Sequence, residues 1–432
     1  MSRSRSVSPL PNPKLPTGWN NRRLKYVSLV QVSNVDKKSV DGEESVQLCN
    51  YVDVYKNEHI TPALEFMDAT ATASQIQNFG LKRGDVLITK DSEAWDDIAV
   101  PAVVTDDLPG VLCGYHLAHI RPNPNVLDGR YLSRCFAASG IREQFHLGAN
   151  GITRFGLGKD EITGASFPIP PLAIQQHIAE YLDRETSRID ELIAAKEWLL
   201  QLLAEKRQAL IAHAVTRGLD PDVTLRGSGI PWLGEIPASW TLLRGKYLWR
   251  EDRLAVEEED EIVTCFRDGQ VTLRRNRREE GFTTAVKEVG YQGVRKGQLV
   301  VHSMDAFAGA IGVSDSDGKC TPEYIICEPV HDSVYNPYFG LLLREMALRG
   351  YIQAYCSAVR ERAPRIHFTD IGEMFFPLPP KAEQVEIIAY IEQSEHEANQ
   401  LATAATHSVE LLRERRSAVI AAAVTGQLEV EG

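Results

Sequence analysis

Phe167-Pro168-Ile169-Pro170-Pro171 recurs 209 residues later as Phe376-Pro377-Leu378-Pro379-Pro380, and this pair of stretches decides how the chain is built. The register then holds without a gap. Ala173, Gln175, Ile178 and Tyr181 return as Ala382, Gln384, Ile387 and Tyr390, and Glu205-Lys206-Arg207 returns as Glu414-Arg415-Arg416. Ala214-Val215-Thr216 returns as Ala423-Val424-Thr425, and 10 of the 18 positions from 199 to 216 are identical, which marks an internal duplication. Working outward, Leu15-Pro16-Thr17-Gly18-Trp19 matches Ile236-Pro237-Ala238-Ser239-Trp240, and Lys25-Tyr26 matches Lys246-Tyr247. Leu81-Lys82-Arg83-Gly84-Asp85-Val86-Leu87 matches Val294-Arg295-Lys296-Gly297-Gln298-Leu299-Val300. Between these anchors the halves diverge, so the plan is variable domain, constant segment, variable domain, constant segment.

The constant segments read as long helices. Pro170 and Pro171 suit a helix start, and no Gly or Pro interrupts Ala173 to Val215. Steps of four and three from Ile178 pass through Leu182, Glu185, Ile189, Leu192, Lys196, Leu199, Leu203, Lys206 and Leu210, an apolar, coiled-coil-like stripe with polar interruptions. Forty-three residues at about 1.5 Å each predict a rod of about 65 Å. The second copy is richer in Ala. The variable domains read as α+β. Strands are expected at Val111 to Ile120 and Tyr324 to Glu328, and one helical stretch each at Gly129 to Phe145 and Tyr338 to Tyr355. The expected division is a disordered leader at 1–14, domains at 15–166 and 236–375, helical segments at 167–218 and 376–432, and a Gly/Pro linker at 219–235.

Composition bounds the function. The 432 residues suffice for two or three domains, and no apolar run is long enough to span a bilayer. Seven scattered cysteines without a C-x-x-C pair argue against a disulfide framework or a common zinc site and fit a reducing cytoplasm. The net charge of −12 counts against a nucleic-acid binder unless charge is segregated, and the acidic run Glu257 to Glu261 beside Arg274, Arg275, Arg277 and Arg278 shows that it is. His116 and His119 fall on opposite faces of a strand, which disfavours joint metal ligation. Gly156-Leu157-Gly158 lacks the third glycine of a dinucleotide fingerprint, and Gly318-Lys319-Cys320 lacks the rest of a phosphate loop; both read as turns. Asn336-Pro337-Tyr338-Phe339 resembles the N-P-P-[YF] loop of adenine methyltransferases, but the second Pro is absent, so a helix-initiating turn is the better reading. No cofactor and no metal is expected.

In this order, Gly229-Ile230-Pro231-Trp232-Leu233-Gly234-Glu235-Ile236-Pro237 with Trp240, the paired F-P-[IL]-P-P stretches and the paired Ala-Val-Thr helix ends resemble the specificity subunits of Type I restriction–modification enzymes across nearly the whole chain. The resemblance implies two target-recognition domains, each reading half of an interrupted double-stranded DNA site. It implies two long helices paired antiparallel, two docked methyltransferase subunits and, through them, motor-nuclease subunits, with no catalysis by this chain and no membrane. A self-contained methyltransferase or nuclease, and a DNA-independent helical scaffold, are the alternatives. Leu199, Leu200, Leu202 and Leu203 in one helical turn, with Leu411 and Leu412 in the second copy, exceed what one helix pair buries and are expected to meet a partner.

Candidate DNA contacts are arginines and lysines, because Arg reads guanine bidentately and both pin phosphate. In the second domain these are Arg274, Arg275, Arg277 and Arg278, with Arg360, Arg362 and Arg365 around Pro364. In the first they are Lys82, Arg83, Lys90, Arg142 and Arg154. The competing reading is a solvated cluster neutralised by Glu279, Glu280 or Glu361. Lys82, Arg83, Arg295 and Lys296 recur at equal positions, which suits structure or phosphate better than base identity.

Overall fold

A computed structural model of the protein describes residues 15–151, 153–277, 290–355 and 365–430. The chain is α+β and forms two compact units: 1–197 with 406–432, and 198–405. Two long helices, Leu172–Arg217 and Lys381–Val424, each contribute a segment to both units. Each starts just after a Pro-Pro pair, Pro170-Pro171 and Pro379-Pro380. Each is followed by a glycine at positive φ, Gly218 (+79°) and Gly426 (+71°), where a side chain would be strained. Forty-six residues make the first a rod of about 69 Å.

In the first unit, Arg416 bonds Asp190 at 2.8 Å and Arg413 bonds Glu197 at 2.7 Å, so the two helix segments run antiparallel. Ile178, Ala179 and Leu182 of one, with Ile420, Ala423 and Val424 of the other, share a core with Leu132, Phe136, Phe145 and Phe167 of the domain. The second unit repeats the scheme. Ile211, Ala214 and Val215 meet Ile387, Ile388 and Ile391, under Trp240, Trp249, Tyr338, Phe339 and Phe376.

The helices begin at Leu172 and Lys381, right after the prolines, but Phe167–Ile169 and Phe376–Leu378, counted with the helical segments, are strand. Asn20–Arg23 pairs antiparallel with Ser166–Ile169, and Thr241–Arg244 with Phe375–Leu378, so each domain is closed where it meets its long helix. A proline is tolerated in so short a ribbon, while Phe167 and Phe376 are fully buried. Both domains then build one antiparallel core sheet in the same order. It is Ser28–Val32, Leu117–Pro122, Val86–Thr89, Pro101–Val104 in the first, with His59–Ile60 added parallel at the edge. It is Trp249–Asp252, Tyr324–Pro329, Leu299–His302, Ile311–Val313 in the second. The first domain carries a further four-stranded sheet with its own core around Leu48, Val111 and Leu112.

Three local expectations are corrected. Val111 to Ile120 is not one strand: Leu108–Cys113 and Leu117–Pro122 lie in different sheets, separated by a turn through Gly114. The helical stretches are broken, at Ala138 in extended conformation and at Gly350 with positive φ. Gly318–Cys320 is a short strand, paired with Gln292–Val294.

The repeated residues hold each domain to its helices. Gln175 is fully buried; its amide donates to the carbonyls of Val126 and Pro170 (2.8 Å each) and its oxygen accepts from Asp128 N–H (2.9 Å). Gln384 does the same with Ser333 (2.9 Å), Pro379 (2.8 Å) and Tyr335 N–H (3.0 Å). Tyr131 donates its hydroxyl to the carbonyls of Pro168 (2.8 Å) and Val424 (3.2 Å), and Tyr338 to that of Val215 (2.7 Å). Val215 and Val424 stand in the last turns of the long helices, where carbonyls lack an intrahelical partner. A domain tyrosine therefore caps a long helix in each unit.

Candidate nucleic-acid interface

The two ends of the core sheet differ in kind. At one end the turns Lys82–Asp85 and Arg295–Gln298 are built alike. The backbone N–H of Lys82 donates to Asp85 (2.9 Å), that of Arg83 to Asp107 (3.0 Å) and that of Gly84 to the Val104 carbonyl (2.9 Å). Their counterparts are Arg295 to Gln298 (2.8 Å), Lys296 to Asp317 (2.8 Å) and Gly297 to Ser314 (2.8 Å). Gly84 and Gly297 have φ of +86° and +90°. The first turn borders Leu172 and Gln176, at the start of the long helix. Behind it, Asp85 accepts from Arg121 (2.7 and 2.8 Å) and lies 2.8 Å from His119 Nε2. Burial pushes the Asp85 carboxyl up, but these bonds outweigh it and hold it below the usual range. Gln298 faces Asp252 and Glu328 instead (2.9 Å each). The repeated Lys82, Arg83, Arg295 and Lys296 thus belong to a structural turn, with Lys82 and Arg83 exposed. Arg295 folds back on Glu257 and Asp260 of the acidic run (2.6 and 3.0 Å).

The opposite end, four strand residues away, is where the halves differ. In the first domain Lys90 bonds Asp91 (2.5 Å), Asp91 bonds His116 Nδ1 (3.1 Å), and Arg154 lies 3.3 Å from His116 Nε2. A guanidinium only donates, so Nε2 accepts and Nδ1 carries the proton toward Asp91. Exposed Tyr115 lies against the His116 ring, with centroids 3.5 Å apart. In the second domain Ser303 donates to Glu323 (3.1 Å), and Arg365 bonds the same carboxylate (3.0 Å). Arg267 reaches Asp305 (3.1 Å) beside His302, whose imidazole is held below its ordinary pKa by burial. The backbone confirms that the corners correspond. Lys90 N–H donates to the His116 carbonyl (3.0 Å) as Ser303 does to Glu323 (2.8 Å), and Leu157 N–H donates to Lys90 (2.9 Å) as Ile366 does to Ser303 (3.0 Å).

The candidate cations are thus partly gathered and partly dispersed. Lys90 and Arg154 share one corner, and Arg365 stands at its counterpart. The arginine run does not form one patch. Arg274 turns inward to Thr264 (3.2 Å), Arg275 to Glu261 (2.6 Å), and Arg277 to Asp268 (2.7 Å) over the Phe266 ring (4.3 Å). Among the described residues the neutralising carboxylates are Glu261 and Asp268, while Glu279, Glu280 and Glu361 lie outside the described residues. Arg142 is drawn in to the Asp96 carbonyl (2.9 Å), and burial depresses its pKa. Arg278, Arg360 and Arg362 lie outside the described residues. Sequence reasoning missed His116, Asp91, Glu323 and Arg267 as members of these corners. It missed Asn336 as a brace: its side chain accepts from Trp249 Nε1 (3.0 Å) and donates to the Gly297 carbonyl (2.9 Å). With Tyr338 buried on Val215, the N-P-Y-F stretch is structural.

On the helices, Leu199, Leu202 and Leu411 are exposed, while Leu200, Leu203 and Leu412 are half-buried. Trp198 (62% exposed) and Leu401 (57%) add to the open apolar surface and were not anticipated. Among the described residues there is no cluster able to hold a metal, and no helix is long and apolar enough to cross a membrane.

No family model matches the chain. It is 25% identical over 337 residues to the EcoBI specificity subunit of a Type I restriction enzyme from Escherichia coli, covering 71% of this chain and 68% of that one. It is 23% identical to the StySPI specificity subunit from Salmonella potsdam, covering 74% and 69%. Its fold is similar to that of the HsdS subunit from Thermoanaerobacter tengcongensis (TM-score 0.59, 18% identity, 96% and 99% covered). It is also similar to a chain in a structure of Type I restriction–modification complex assembly (TM-score 0.70, 17% identity, 96% and 100% covered).

Proposed function

We propose that this chain, which belongs to the specificity subunits of Type I restriction–modification systems, reads a bipartite, asymmetric DNA site and performs no chemistry itself. One observation carries the finer reading. The two domains share a core sheet and a helix-proximal turn, but at the opposite end equivalent backbone presents Lys90, Asp91, His116 and Arg154 in one and Ser303, Glu323 and Arg365 in the other. Two readers of different half-sites need such an arrangement: common scaffolding, divergent polar tips. In this reading 15–166 and 236–375 are the readers, 167–218 and 376–432 the spacers and 219–235 the linker. Leu199, Leu200, Leu202, Leu203, Leu411 and Leu412 receive two methyltransferase subunits, through which motor-nuclease subunits join in a reducing cytoplasm. Lys82, Arg83 and Arg275 add phosphate attraction.

Modified-base sequencing of DNA methylated by the chain together with its methyltransferase tests this. A split site with two different halves is expected, and no methylation by the chain alone. Methylation without the partner, or an undivided site, would refute it.

A further inference from the structure

We infer that Arg154 and Arg365 are specificity-determining residues, each selecting a guanine in the half-site of its own domain. The inference rests on the DNA-reading role proposed above and assigns it to single side chains.

The two arginines reach corresponding corners by different routes. Arg154 lies three residues before Leu157 and Arg365 one before Ile366, and these two residues make the equivalent backbone bonds to Lys90 and Ser303. The presence of a guanidinium at both corners is therefore not inherited from the repeat's register. It recurs although everything around it has changed.

Each is held from behind by a single acceptor group. Arg154 Nη2 lies 3.3 Å from His116 Nε2, itself set by Asp91. Arg365 Nη1 meets both oxygens of Glu323, at 3.2 and 3.0 Å. The other guanidinium N–H groups have no acceptor among the described residues, and both side chains are exposed. Exposed pairs of this kind contribute little to stability, whereas an arginine anchored by one nitrogen keeps its remaining planar donors aimed outward at lower entropic cost. Two parallel N–H donors match guanine O6 and N7 in the major groove, where only guanine places two acceptors side by side. A lysine or a lone phosphate contact would need no such orientation.

The test uses the full chain in complex with its methyltransferase. Wild type, Arg154→Ala and Arg365→Ala are compared by modified-base sequencing and by competition with duplexes carrying one base-pair change each. Arg154→Ala should lose discrimination at one G·C position in one half-site, by about 5- to 150-fold, with the other half-site unchanged. Arg365→Ala should do the same in the other half. Thermal melting and affinity for unrelated duplex should be retained, which separates lost reading from lost folding. The inference falls if either variant keeps full discrimination, or if affinity drops equally on all duplexes with the salt dependence reduced by about one unit, the mark of a phosphate contact. It also falls for a domain whose wild-type half-site contains no G·C pair. A wild-type complex with no preferred sequence would instead overturn the DNA-reading role itself.

Discussion

Replacing Tyr338 by Phe removes one oxygen from a fully buried side chain and leaves its ring in place. The hydroxyl donates to the Val215 carbonyl at 2.7 Å, two residues from the end of the first long helix. Among the described residues no backbone N–H reaches that carbonyl, because Gly218 turns the chain away and bonds Ala214 instead. Burial drives the hydroxyl pKa far above its ordinary value, so it remains a donor at any accessible pH. The ring itself packs edge-on against Trp240 and Phe339, and phenylalanine keeps those contacts. The loss is thus an unsatisfied buried carbonyl, about 1–3 kcal/mol. For a unit of this size each kcal/mol moves Tm by about 2–4 °C, so Tyr338→Phe should melt about 2–12 °C lower by calorimetry of the methyltransferase-bound chain. Tyr131→Phe, which orphans Val424 and Pro168, should fall in the same range. A Tm within 1 °C of wild type for both would refute the claim that these tyrosines cap the long helices.

Glu58 bridges buried Arg134 (2.7 Å) and Arg416 (2.5 Å); because its side chain is 44% exposed, Glu58→Gln should cost only about 1–2 kcal/mol in denaturant titration, short of a fully buried pair. Burial raises the carboxyls of Glu58 and Asp85, but their arginine partners outweigh it and leave both below their ordinary values. Their stabilisation is therefore present above the ordinary carboxylate range and lost as pH falls through the lower folded values, so Tm should drop as pH falls below about 4, less steeply in Asp85→Asn. Leu199→Glu with Leu202→Glu should leave Tm unchanged, since both side chains are exposed, and weaken methyltransferase binding about tenfold or more in a pull-down titration.

The duplication was legible because its anchors are packing residues. Phe167 and Phe376, Gln175 and Gln384, and Val215 and Val424 are buried or capped in both units, so neither copy could drift. The long helices were legible because no Gly or Pro breaks them and an apolar stripe, interrupted by polar residues and weaker in the second copy, runs along them. The strand at Phe167–Ile169 was misread because a Pro-rich stretch looks like a helix entry, and only its pairing with Asn21 and Arg22 shows otherwise. The corners were half legible. Arg154, Lys90 and Arg365 stood out by charge, but their partners His116 and Glu323 come from across the sheet, a pairing no local spacing encodes. The arginine run misled in the opposite direction, because proximity in sequence put Arg274, Arg275 and Arg277 together while the hairpin sends them to Thr264, Glu261 and Asp268.

In the proposed function the two domains read two half-sites independently. Exchanging residues 15–166 for the corresponding domain of a relative with a different target, followed by modified-base sequencing of DNA methylated by the complex, tests it most directly. A new sequence is expected in one half-site, with the other half and the spacing between them unchanged. Alteration of both halves together, or of neither, would contradict it.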